Sequence, residues 1–143
     1  MNLIVKTFPH LTTPELYEIL KVRSQIFVVE QNCAYQDIDG QDQESLHLFF
    51  QEEGHVLAYL RAFLKEPGVV QMGRVLTVTH GQGLGKKLLA SGIKEIKAHF
   101  QPRQIVIEAQ CYAIGFYEKA GFVVCSEEFL EDGIPHVKMG LSL

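Results

Sequence analysis

The sequence predicts an α/β protein in the mixed-sheet (α+β) sense, with one sheet of parallel and antiparallel strands and helices packed on it. Three observations predict it. Apolar residues at helical spacing alternate with short apolar runs of strand length, in the order β-α-β-β-β-α-β-α-β-β. Turn signals separate the middle runs, at Glu52-Glu53-Gly54-His55 and Glu66-Pro67-Gly68. The length of 143 residues and the 47% hydrophobic content suit one domain, 1–143, with its own core.

Residues 3–8 form the opening strand. Thr13-Pro14-Glu15 marks a helix start, with a hydroxyl N-cap, proline at the first helical position and an acid in the first turn. That helix runs over 14–31. Residues 32–45 are polar and aspartate-rich, hence a loop. The runs 46–51 and 56–64 make a hairpin, and 69–79 is the next strand. Leu84, Leu88, Leu89, Ile93 and Ile96 place a helix over 84–100, ended by Pro102. Strand 104–109 is short and buried. A short helix over 112–120 has Gly121 past its end. Residues 122–129 and 135–141 close the sheet as a pair of strands.

Net charge is −4, with a pI near 5.8, which sets aside a generic nucleic-acid binder. No apolar run approaches the roughly 20 residues that span a bilayer, and the first seven residues are too short for a signal peptide, so no membrane partner is expected. Cys33, Cys111 and Cys125 are odd in number and form no C-x-x-C pair. That argues against a disulfide framework or a thiolate zinc site and for a cytoplasmic setting. Asp37, Asp39 and Asp42 suggest a calcium loop. The pattern closes two residues early at Gly40 and lacks the following glutamate, so no metal is expected.

The strand 69–79 runs into His80-Gly81-Gln82-Gly83-Leu84-Gly85-Lys86-Lys87, which opens a helix. Three glycines in five residues let backbone amides turn toward one point, and the helix start adds its dipole and free N–H groups. The product is an anion site suited to phosphate, or else a tight turn without a ligand. A dinucleotide fingerprint would need glycine at Lys86. A P-loop would need glycine at His80 and a hydroxyl at Lys87. Neither fits.

The glycine loop and Phe116-Tyr117-Glu118-Lys119-Ala120-Gly121-Phe122 resemble the GCN5-related N-acetyltransferase (GNAT) superfamily, whose signature is Q/R-x-x-G-x-G/A. Here histidine, His80, stands at the first position. Val28-Val29-Glu30-Gln31-Asn32-Cys33, Asp37-Ile38-Asp39-Gly40 and Glu131-Asp132-Gly133-Ile134-Pro135-His136 resemble its bacterial ElaA-like subgroup. The superfamily motifs cover 74–122, and the subgroup match covers nearly the whole chain. The resemblance implies a single acyl-CoA N-acyltransferase domain that uses acetyl-CoA as cosubstrate. The pyrophosphate would lie on Gln82, Gly83, Leu84, Gly85, Lys86 and Lys87, and the pantetheine arm along Leu76, Thr77 and Val78. Tyr117 matches the tyrosine that protonates the departing thiolate; a tyrosine and a thiol have comparable pKa values, so the transfer is not steeply uphill. The alternative for Tyr117 is a core aromatic.

The base that deprotonates the acceptor is open among Glu30, His47, Glu108 and His136. On the first helix Leu16, Leu20, Arg23, Phe27 and Glu30 share one stripe at 100° per residue, and the resemblance places this helix beside the acceptor site. Glu30 is read as amine ligand or base, Arg23 as its organiser or a carboxylate clamp, and Phe27, His47 and His136 as acceptor contacts. A structural network joining helix, loop and closing hairpin is the competing reading. Cys111 is read as packing, because nothing near it in sequence would activate a thiolate.

The expected activity is direct transfer of an acetyl group to a primary amine of a small molecule or peptide. A non-catalytic CoA-binding sensor is the alternative, and an acyl-homoserine lactone synthase a third. A mixed sheet with exposed edges permits a homodimer. From 30 to 60 there are seven acids and no Lys or Arg, whereas 86–103 carries five bases and one acid. The basic segment suits CoA phosphates, and the acidic one would draw a cationic amine.

Overall fold

The computed structural model describes residues 1–143. Its body is one eight-stranded sheet formed by β1 (Asn2–Thr7), β2 (Leu46–Glu52), β3 (His55–Glu66), β4 (Val69–Thr77), β5 (Gln104–Gln110), β6 (Val123–Val124), β7 (Phe129–Glu131) and β8 (Ile134–Ser142). The order is β1-β2-β3-β4-β5-β8-β6, with β7 also on β8. Only β4 and β5 run parallel. The helix α2 (Leu84–Phe100) supplies the crossover that a parallel pair requires. The mixed α/β class expected from the sequence is the one observed.

Both faces of the sheet are covered, which explains why β2 reads as an unbroken apolar run rather than an alternation. Leu48, Phe50, Ala58 and Leu60 face α2 through Leu88, Leu89 and Ile96. Phe49, Tyr59 and Leu76 face the other way, against Ile19 and Val22 of α1 (Thr13–Arg23) and Ile26 of the π-helical segment that follows it. The short helix α3 (Ile114–Glu118) follows β5 through a 3-10 turn, Cys111–Ala113.

Three expectations are corrected. The N-cap is Thr12, not Thr13, because Glu15 lies three residues on. Glu15 N–H donates to Thr12 Oγ1 and Thr12 N–H donates to Glu15 Oε1, a capping box that Thr13 has no partner to make. The first helix is α-helical only to Arg23; Ser24–Glu30 widen into a π-helix. The 100° stripe therefore drifts, and the buried set is Ile19, Val22, Arg23 and Ile26, with Glu30 exposed. The strand expected over 122–129 is two short ones, β6 and β7. Between them the ladder is irregular: Cys125 N–H donates to Lys138 O and Lys138 N–H to Ser126 Oγ.

One irregularity positions the site. Tyr59 pairs with Leu76 and Arg61 with Gly73, so Arg74 and Val75 of β4 together oppose Leu60 alone. This is a β-bulge, and Arg74 sits in it with φ 51°. β4 and β5 pair only over Val69–Gln71 and 104–106, and they diverge beyond that point.

Close packing of α2 on β3 gives the first prediction. A Cβ at Gly92 would stand 2.6 Å from Cδ2 of the buried Leu60. Overpacking of this kind costs about 1–3 kcal/mol and outweighs the roughly 1 kcal/mol that alanine gains in a helix. Gly92→Ala is expected to lower the thermal midpoint, measured by circular dichroism, by roughly 2–4 °C for a net loss of about 1 kcal/mol.

Candidate active site

The divergence of β4 from β5 opens a cleft of about 720 Å³. One wall is β4 from Gly73 to Thr77, and the other is β5 from Ile107 to Gln110. His80 and Gly85 close the glycine-loop end, Tyr117 of α3 forms part of the floor, and Glu131 and His136 come from the β7–β8 hairpin. Beyond Gln71 the edge of β4 that faces β5 has no strand partner. It leaves extended backbone available to a ligand.

Gly81 and Gly83 have φ of 79° and 71°, a left-handed backbone that glycine adopts without strain, and Gly83 is the N-cap of α2. The first N–H groups of α2 have no acceptor within the helix. Gly85 differs: an added Cβ would meet Phe116 at an ordinary 3.5 Å, so alanine fits there. Among the expected cofactor residues, Leu76, Thr77 and Gly85 line the cleft. Val78 N–H is already donated to Leu57 O at 2.9 Å. Gln82 and Lys86 are exposed, Leu84 packs on the core, and Lys87 Nζ rests 5.3 Å over the Phe50 ring.

Tyr117 is buried yet lines the cleft. Edge-on contacts with Phe116 and Phe122, centroids 5.1 and 5.8 Å away, fix its ring. Burial, reinforced by nearby Tyr112, pushes its pKa above the ordinary tyrosine value, so the phenol keeps its proton. Cys111 shows the opposite of an activated thiol, since burial and Glu128 both raise its pKa.

The first-helix residues separate. Arg23 is fully buried. Its Nε donates to Asp37 Oδ2 at 3.0 Å, its Nη1 to Asp42 Oδ1 at 2.6 Å and its Nη2 to Asp37 O at 2.9 Å. It neither organises Glu30 nor reaches the cleft, which corrects the expected clamp. Arg61 also holds Asp42 and Asp39, and Arg74 lies against Asp37 and Asp39. Arg74 Nε is 2.9 Å from Asp37 Oδ1 but not aligned as a hydrogen bond, and its guanidinium covers the Tyr35 ring. Three arginines thus meet three aspartates. The acidic loop, expected to attract a cation, is largely neutralised from within the fold.

His47 is also withdrawn from the acceptor side. It is wholly buried, with Nε2 against Asp42 O at 2.8 Å and Nδ1 against the Tyr59 hydroxyl at 2.7 Å. A carbonyl only accepts, so Nε2 carries the proton and Nδ1 accepts from Tyr59. Burial lowers the His47 pKa and keeps the ring neutral. Glu30, expected as amine ligand or base, is exposed and is not among the residues that line the cleft; its carboxylate lies 3.1 Å from His80 Nε2, which ties the end of the first helix to the glycine loop. Phe27 and His136 do line the cleft.

Sequence reasoning passed over Glu131 and the Gln31–Gln110 pair, whose amides exchange hydrogen bonds of 3.4 and 3.2 Å across the cleft. The signal for Glu131 was present. Asp132-Gly133, with φ of 51° and 78°, makes a two-residue hairpin turn. It brings Glu131 opposite Ile134 and Phe129 opposite His136.

Residues 17–143 match the family model described as an acetyltransferase (GNAT) domain. The chain is 37% identical to a UPF0039 protein of Schizosaccharomyces pombe, over 100% of this chain and 98% of that one. It is 33% identical to protein ElaA of Escherichia coli, over 90% and 88% of the two chains. The ElaA crystal structure matches with a TM-score of 0.93 at 31% identity, covering 99% of this chain and 100% of that one. An acyl-CoA N-acyltransferase from Pseudomonas aeruginosa matches with a TM-score of 0.93 at 34% identity and the same coverage.

The buried ion network yields a stability prediction. Burial would raise the pKa of Asp42, but Arg23 and Arg61 hold it net below the usual carboxylate value; Asp39 is likewise held low by Arg61 and Arg74. Groups depressed in the folded state stabilise fully above their unfolded pKa, near 3.9, and lose that contribution as pH falls toward the folded value. The thermal midpoint should drop steeply below about pH 4. Asp42→Asn leaves two buried guanidiniums short of charge and should cost about 3–5 kcal/mol by urea denaturation at pH 7. It should also shallow the acid limb.

Proposed function

The chain belongs to the GNAT acetyltransferase family, and on that premise we propose that it moves the acetyl group of acetyl-CoA to a primary amine in a ternary complex, with no covalent acyl-enzyme. The observation that carries this reading is Tyr117, a protonated phenol presented to the cleft where β4 leaves β5. The pyrophosphate takes the amides at the start of α2 and the dipole behind them. The pantetheine arm runs along the unpaired edge of β4, near Leu76 and Thr77. The neutral amine nitrogen attacks the thioester carbonyl, the new C–N bond forms and the C–S bond breaks. The sulfur leaves as a thiol with the Tyr117 proton, and the tyrosinate is reprotonated by the proton the nitrogen sheds, through water. Burial of the phenol helps here, because an acid that ionised early could not serve the thiolate. Glu30 and His80 join the two sides of the mouth and position the loop. The raised Cys111 thiol pKa supports direct transfer over a thiolate relay.

Two measurements test this. General acids contribute about 10²–10⁴-fold, so Tyr117→Phe should lower kcat at least about 100-fold while leaving acetyl-CoA affinity near that of the wild type, read by thiol release and calorimetry. Gly83→Ala, forced into a left-handed backbone, should weaken acetyl-CoA binding, while Gly85→Ala should bind it nearly normally. Full turnover by Tyr117→Phe would falsify the assignment of the acid.

A further inference from the structure

We propose that Glu108, Glu131 and His136 Nε2 form a receptor for the ammonium group of the acceptor, and that the acceptor is an aliphatic amine with no carboxylate beside its nitrogen. This rests on the acyl-transfer reading for its purpose but not for its test.

The first observation is a pair of acids on one cleft. The β5–β8 ladder sets Glu108 across from Lys138 and Gln110 across from His136. Glu108 lines the same cleft as Glu131, an acid on the hairpin. Two carboxyl groups that face one pocket favour a proton or a cation between them. The second observation is His136, 7% exposed and on the cleft wall. Its Nδ1 lies 2.7 Å from Ile134 O. That carbonyl only accepts, so Nδ1 carries the proton. In the neutral ring Nε2 is then a bare acceptor, 3.4 Å from Glu131 Oε2 and without an aligned hydrogen bond.

Three acceptor groups therefore converge on one cleft wall, and a single shared proton cannot satisfy them. An alkylammonium carries three N–H donors and one positive charge, which matches them in number and sign. Burial and then the nearby acids Glu108 and Asp132 push the Glu131 pKa upward. That brings the carboxylate closer to an amine in basicity and makes proton transfer less uphill. The ammonium gives one proton to the Glu131 carboxylate, leaving RNH₂ and a carboxylic acid; the acid returns the proton to water after the amide forms.

Substrate class follows from the charges facing this spot. Asp132 flanks it, and the amides of Gln31 and Gln110 are bonded to each other. Lys138 stands across the strand from Glu108. The guanidiniums of Arg61 and Arg74, which also line the cleft, are held by Asp37, Asp39 and Asp42. A carboxylate on the carbon bearing the reacting nitrogen would meet the two glutamates with no free guanidinium to offset them.

The probes are 1-aminopentane and norleucine, which differ only by one carboxylate on the carbon that bears the nitrogen. Each is titrated by calorimetry into the full-length protein saturated with CoA, so no turnover is needed. The simple amine should bind at least tenfold tighter than norleucine, and its affinity should fall as pH drops and Glu131 is protonated. Glu131→Gln and, separately, Glu108→Gln should each abolish that preference, with Glu131→Asp restoring part of it. Glu131 lies on an exposed hairpin, so its variants should keep the wild-type thermal midpoint. Equal affinity for the two probes, or an undiminished preference in both Gln variants, overturns the proposal. A protein that shows the preference but releases no thiol from acetyl-CoA overturns the transfer reading and leaves the receptor standing.

Discussion

The bulge at Arg74 is the constraint on which the rest of the molecule depends. It lies just past Gln71, where β4 stops pairing with β5 and the cleft opens. Two residues of β4 oppose Leu60 alone, and Arg74 adopts φ 51° to accommodate them. A left-handed non-glycine residue costs on the order of 1–2 kcal/mol, so the surroundings must hold it. They do so through the guanidinium of Arg74, which is set over Tyr35 and against Asp37 and Asp39. The loop that looks like a solvated acidic segment is thus a brace for the strand that makes the site.

That brace is ionic and partly buried, and its role is geometric more than energetic. Pairing three arginines with three aspartates recovers what their desolvation costs, with little surplus. What it supplies is a fixed place for the loop relative to β3, β4 and the first helix. Arg23 reaches from the helix, Arg61 from β3 and Arg74 from the bulge, and Asp37, Asp39 and Asp42 receive them. The phenol of Tyr59 and the ring of His47 extend the network into the core.

Much of this was legible in the sequence, for local reasons. Periodicity and turn residues account for the element order except at the end, where two expected strands are three. The left-handed glycines of the loop were readable because its geometry is set within eight residues. Phe116, Tyr117, Gly121 and Phe122 form a short motif, and Tyr117 of that motif lines the cleft. The illegible parts are those set by distant partners. A π-helical segment changes which residues share a face, so the stripe through Arg23 and Glu30 gave the wrong neighbours. Arg23 then found partners 14 and 19 residues away, across a loop that no period describes. Glu131 was missed because its significance comes from Glu108, on a strand 23 positions earlier and two neighbours over in the sheet.

The parallel seam has a mechanical consequence. The strands of residues 2–77 and those of 104–142 meet edge to edge only through the three register pairs that begin at Val69 and Gln104, with α2 lying across as a strap. Such a join is a natural place for the sheet to breathe, and amide exchange should be fastest along its open end. On the proposed reading, a pantetheine arm laid in the gap would act as an extra strand and sew the halves together. At a hundred times its dissociation constant it would add about 2.7 kcal/mol to global stability. The seam is thus the part of the sheet whose rigidity a chain bound along β4 would raise most.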